Sequence, residues 1–158
     1  MPLYRAVLRS TPKVSPKTLS SVSSNPRIDN LDLSYDESSK ILTFTATVAS
    51  NKRIGHYSAM IFFKDVEPND GLTEEEIMNG FKPKPTLGEH EIMGRCSCPN
   101  YQFRFDQANR IRGVGAGPRF RYYRRKTNRK PNNPKDLMGF CSHLVEFVNY
   151  LQENGFVL

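Results

Sequence analysis

The stretch "LTFTATV", residues 42–48, alternates apolar and polar side chains without interruption. Successive side chains of a strand point to opposite faces, so this period of two puts Leu42, Phe44, Ala46 and Val48 on one face and three threonines on the other. The pattern predicts a half-buried antiparallel strand. Upstream, Leu31, Leu33 and Tyr35 alternate in the same way, and "DESSK", residues 36–40, supplies a turn, so the two runs read as a hairpin. Downstream, after the turn-like "ASNKRIG", residues 49–55, the run "HYSAMIFFKDV", residues 56–66, is apolar on both faces, as a central strand requires.

Helical signals surround this sheet. Thr73 followed by Glu76 has the spacing of a capping box and opens a short acidic helix closed by Gly80. After "FKPKP" breaks the chain, "EHEIMGR", residues 89–95, predicts one more strand that delivers the chain to Cys96. Leu144, Phe147, Val148 and Leu151 fall at i, i+3, i+4 and i+7, the stripe of a helix that ends near Gly155. At the other end, Leu3 to Leu8 reads as a short strand, followed by the Ser/Thr/Pro/Lys-rich connector "STPKVSPKTLSSVSSNP". The expected class is α+β: a small antiparallel sheet with a C-terminal helix. Three parts follow: an N-terminal strand and arm over 1–27, a β-rich body with a short helix over 28–93, and a module over 94–158.

With 158 residues, the chain is long enough to bury a core as one domain without disulfides. No apolar run approaches the roughly 18–20 residues of a membrane span, and "MPLYRAVLRS" lacks the apolar region of a secretory signal. Three cysteines make an odd count, which fits a reducing compartment rather than a disulfide framework.

Those cysteines fall into two tight pairs with one histidine: Cys96 and Cys98 as C-x-C, Cys141 and His143 as C-x-H. Three thiolates and an imidazole are a standard tetrahedral set for structural zinc, and an iron–sulfur cluster is the alternative that the same ligands allow. Residues i and i+2 of a regular helix point about 200° apart, so Cys141 and His143 cannot both face one ion from inside a helix. They must occupy the lead-in and first turn, with the helix beginning around Ser142. The C-x-C pair likewise needs a bend, which Pro99 supports. His56 and His90 read as surface or packing residues.

Between the pairs lie 42 residues, and from Gln102 to Lys135 eleven Arg and Lys face Asp106 alone, which makes the rest of the chain net acidic against a total of +7. The segment reads as a long basic loop stapled at its base by the metal. Its richest part, Arg119, Phe120, Arg121, Tyr122, Tyr123, Arg124, Arg125 and Lys126, interleaves cations with rings and is the candidate partner-binding surface. Arg and Tyr anchor protein interfaces, while the same interleaving suits phosphate neutralisation and base stacking in nucleic acid. As a strand, this run could add to a partner's sheet. "GVGAG" lacks the strand-to-helix context and the GK[ST] of a phosphate loop. The carboxylates of "TEEEIMNG" sit where acidic residues complement a helix dipole, and no Ser-His-Asp order or nucleotide motif is present, so no enzyme and no small-molecule substrate are expected.

The order C-x-C…C-x-H, with Pro99 after the second cysteine and an apolar helix after His143, resembles the SWIM zinc finger over residues 94–152. It departs from that family in its long spacer, in Phe140 before the third cysteine and in Ser142 where a basic residue is usual. "GRCSCPNYQFRF", "PRFRYYRRKT" and "NPKDLMGFCSHL" also resemble small virion structural proteins of tailed bacteriophages, especially contractile-tailed ones. That resemblance implies an architectural zinc module in a tail, baseplate or neck. Its partners would be other virion proteins present in several copies, and its place the virion, assembled in the host cytoplasm. The SWIM resemblance implies nucleic-acid binding as the alternative.

Overall fold

The computed structural model describes residues 27–49, 55–120 and 137–158, together with Tyr4 and Val7. Four antiparallel strands form one sheet in sequence order: β1 (Ile28–Asp36), β2 (Ile41–Ala49), β3 (His56–Phe63) and β4 (Ile92–Cys96). The "LTFTATV" register is realised: Leu42, Phe44, Ala46 and Val48 are buried while the threonines between them are half-buried. β3 pairs with both β2 and β4 and is central in the sheet, but only the face with Ala59, Ile61 and Phe63 is fully buried, while Met60 and Phe62 on the other face are half-buried. The hairpin partner β1 carries a bulge between Asp29 and Asp32, with Asn30 at φ 53°.

The acidic helix α1 (Glu74–Met78) is capped as its sequence requires. The Thr73 side chain accepts from Glu76 N–H, and the Glu76 carboxylate accepts from Thr73 N–H. Gly80 follows at φ 72°, a left-handed conformation that costs glycine little.

The last helix, α3 (Ser142–Glu153), lies on the inner face of the sheet. Its stripe of Leu144, Phe147, Val148 and Leu151 is wholly buried with Phe44, Ile61, Phe63 and Ile92. Each such side chain contributes about 1.5–3 kcal/mol on burial. One core therefore joins the sheet to the C-terminal module. Gly155, at φ 73°, lies two residues beyond the helix.

Two expectations change. Tyr4 and Val7 are helical rather than extended, and both are buried. Their i, i+3 spacing puts them on one helical face, and an apolar run this short does not distinguish the two states by pattern. The arm up to residue 26 lies outside the described residues. The first part of the basic segment is no open loop: a π-helical turn (Tyr101–Phe105) leads directly into α2 (Asp106–Ile111). Tyr101, Phe105, Ala108 and Asn109 form its buried side.

Candidate metal centre

The four residues reach one point from three directions. Cys96 is the last residue of β4 and buried. The next residue is pinned to the neighbouring strand, since Ser97 N–H donates to the Ser58 carbonyl at 3.0 Å and Ser58 N–H donates to Ser97 Oγ at 2.9 Å. The chain then bends at Cys98 and turns helical at Pro99. Proline suits that position because its missing N–H would have had no partner in the first turn.

Cys98 works as a helix cap through sulfur. Its Sγ accepts from Tyr101 N–H at 3.3 Å, and its carbonyl accepts from Gln102 N–H at 3.1 Å. The Gln102 side chain donates back to the Ser97 carbonyl at 2.6 Å, closing the bend from the other side. This is the turn that C-x-C chelation demands.

The second pair sits on the threshold of α3. Cys141 is its N-cap residue, in an extended conformation (φ −69°, ψ 166°), and the helix starts at Ser142 as the ligand geometry predicts. His143 lies in the first turn, with its ring packed on Tyr57 of β3 at 4.9 Å between centroids.

The three sulfurs and one imidazole nitrogen all lie within 4.8 Å of one another. Tetrahedral zinc, with bonds of about 2.3 Å to sulfur and about 2.0 Å to nitrogen, separates its ligand atoms by roughly 3.5–3.8 Å. A contraction of about an ångström, within reach of side-chain rotation, closes the shell. No disulfide is present, since all three cysteines are free and buried. His143 Nδ1 is buried with no hydrogen-bond partner among the described residues. Buried polar atoms are rarely left so, and beside three thiols a cation is a partner that suits the ring.

Electrostatics agrees. Cys98 is held far below the ordinary thiol range by hydrogen bonds from Cys141 and Cys96 and a weaker one from His143. Cys141 is pushed well above that range, first by burial and then by its two thiol neighbours. At Cys96 the hydrogen bond from Cys141 works downward, but the Cys98 thiolate and burial outweigh it and push the group up to about 12. Without a cation, converging thiolates repel one another and are disfavoured by burial. Three thiolates need a divalent ion among them. The donor set is compatible with zinc, and Cys96, Cys98, Cys141 and His143 are the residues that would hold a metal ion.

Features that the sequence reading missed support the centre. Gly94 is forced by a close approach: a Cβ there would meet the Phe140 ring at 2.8 Å. Tyr101 Oη donates to the Gly94 carbonyl at 2.6 Å. Asn109, fully buried, binds both backbone groups of Gly139, two residues before Cys141. A second tie therefore closes the excursion beside the metal ligands. Its signal in sequence was the helical spacing of Tyr101, Phe105 and Ala108, with Asn109 next to it on the same side.

Of the candidate partner-binding residues, Arg119 is exposed and Phe120 is half-buried. Phe120 rests edge-on against Tyr101 at 6.2 Å, with the Arg95 guanidinium 3.8 Å from its ring centroid. Arg121, Tyr122, Tyr123, Arg124, Arg125 and Lys126 lie outside the described residues. His90 does serve packing: its Nδ1 accepts from Thr86 N–H at 2.9 Å, and its Nε2 faces Asp70 Oδ2 at 3.0 Å. His56 sits exposed at the start of β3, 3.7 Å from Asp29. Scans against protein-family models, curated proteins and solved structures find no match to this chain.

Proposed function

We propose that this protein is a non-enzymatic assembly component in which structural zinc staples the sheet to the terminal helix and fixes the base of a basic segment that docks on other proteins. The observation that carries this reading is the convergence of Cys96, Cys98, Cys141 and His143 within 4.8 Å, three of them buried. Four protein ligands complete a tetrahedral shell, and a closed shell is the mark of a structural rather than a catalytic zinc site. The staple adds stability where strand, π-helical turn and helix meet. The setting in a tailed-phage particle, as part of tail, baseplate or neck, rests on the sequence resemblance over residues 94–144.

Elemental analysis of the native protein beside Cys98→Ser and His143→Ala tests the metal: about one zinc in the native chain and loss in both variants. Metal-free native protein, as stable as the variants, overturns it. Co-purification with particles tests the setting. A SWIM-type nucleic-acid module predicts instead DNA binding whose affinity falls steeply with salt as counterions are released.

A further inference from the structure

Helix α1 is well capped, yet none of its residues is buried. Of the six large apolar side chains exposed among the described residues, three lie here: Ile77, Met78 and, just past the helix, Phe81. Met78 is 87 % exposed, more than any of the others. The helix is held from its polar side instead, by the Thr73–Glu76 capping box and by the ion pair of Glu76 with Lys84. Glu74 precedes Ile77 and Met78 by three and four residues, so it shares their side of the helix. Apolar side chains gathered on the surface in this way, with polar residues around them, mark an interaction site.

Charge decides what the patch can meet. Glu74 and Glu75 are exposed beside it, Glu76 is matched by Lys84, and Lys82 is the exposed cation of the stretch, so the rim is net acidic. Such a rim repels the phosphates of nucleic acid and the surface of anionic lipid. A second α1 would bring like charges together. The complementary surface is apolar and cationic.

This chain carries one. Along the π-helical turn and α2, Phe103, Gln107 and Ile111 recur every four residues and all are exposed, Ile111 by 64 %. Arg112, also exposed, ends the helix, while the acidic Asp106 is buried in its pair with Arg110. We propose that the acidic apolar face of α1 docks on the basic apolar face of α2 in a second copy of this chain. Ile77 and Met78 pack against the Ile111 side, and Glu74 and Glu75 lie toward Arg112.

The pairing is between copies, because within one copy Ile77, Met78 and Ile111 all remain exposed. The two faces differ, so the contact is head-to-tail and builds rings or filaments rather than closed pairs. So few side chains fall short of the roughly 1,200 Å² that a stable pair buries. One contact is therefore weak, and it gains strength by repetition where many copies are held together.

This inference rests on the assembly reading above and names one of its partners. The test is sedimentation equilibrium of the full chain, loaded with zinc, at concentrations up to about 1 mM, where weak specific contacts are populated. Native protein is expected to rise above its 18.1 kDa monomer mass as concentration increases. Met78→Gln and Ile111→Gln are each expected to weaken association at least about fivefold. Glu74→Lys and Arg112→Glu are expected to weaken it about tenfold. All four side chains are exposed, so zinc content and circular dichroism should stay native. Mixed one to one, Glu74→Lys and Arg112→Glu associate again, because the contacts between unlike copies pair opposite charges. A native chain that stays monomeric, a variant that associates like the native, or a mixture that does not recover overturns the pairing. Zinc content and particle incorporation do not depend on that outcome, so they judge the assembly reading separately.

Discussion

Asn109 and Gly139 exchange two hydrogen bonds, from Asn109 Nδ2 to the Gly139 carbonyl at 2.8 Å and from Gly139 N–H to Asn109 Oδ1 at 2.9 Å. One side-chain amide thus pairs with both polar groups of a buried backbone unit, as a neighbouring strand would. The result is mechanical: the chain returns to Cys141 along a line set by α2, so the sulfur arrives beside the bend that carries Cys96 and Cys98.

Replacing Asn109 with Ala leaves a buried N–H and a buried carbonyl unpaired. The expected loss is about 2–4 kcal/mol. Urea unfolding followed by circular dichroism measures it, and zinc content by mass spectrometry separates the two ties. We expect the variant to retain metal, because its four ligands are intact.

Gly94→Ala places a methyl group 2.8 Å from the Phe140 ring, deep in the core. Overpacking of this kind costs about 1–3 kcal/mol. Phe140→Leu in the same chain makes room for the methyl group, so the double variant should be more stable than the sum of the two single losses predicts. A double-mutant cycle on unfolding midpoints reads this coupling directly, and strict additivity would refute the steric account.

Chelation of the metal should lower the melting temperature by well over 10 °C. Structural zinc contributes on the order of 10 kcal/mol in small domains, and 1 kcal/mol shifts a domain of this size by roughly 2–4 °C. Cys98→Ser and His143→Ala should melt at the chelated temperature and ignore the chelator. Differential scanning fluorimetry with and without a chelator gives both comparisons.

Loading the metal-free protein should release about two protons per zinc at neutral pH. Without a cation Cys96 is pushed up to about 12 and Cys141 is raised as well, so those two thiols are the ones expected to give up protons to the metal, while Cys98 is shifted the other way. The sign follows: zinc competes with protons, and affinity rises with pH by roughly a hundredfold per unit while two protons are displaced. Titration calorimetry in buffers of different ionisation enthalpy counts the protons. A count near zero would mean that all three sulfurs ionise before the metal arrives.

Much of this was legible because it is local. Alternation from Leu42 to Val48 fixes a strand whatever surrounds it, Thr73 and Glu76 announce a cap three residues apart, and Leu144 to Leu151 display one face of a helix. The ligand pairs were legible for a different reason: residues two apart point to opposite sides of a regular helix, so the spacing of Cys141 and His143 located the start of α3. What escaped depends on distance along the chain. Asn109 looks like any polar residue of a basic segment until Gly139 is placed beside it, 30 residues on. The π-helical turn was hidden because Phe103 and Phe105 flank Arg104 in the alternation of a strand, while only Phe105 is buried. At Tyr4 and Val7 a short apolar run suits either conformation, and tertiary burial decides it.

The order of the four candidate ligands along the chain would set a timetable for a bound metal. Cys96 and Cys98 leave the ribosome first, and 42 residues are synthesised before Cys141 follows. At about 5–20 residues per second that is an interval on the order of seconds. During it the nascent chain offers two sulfurs, half of a tetrahedral shell and too few to hold zinc firmly. A full shell can therefore form only once Cys141 and His143 emerge at the start of α3, before the body of that helix has been made.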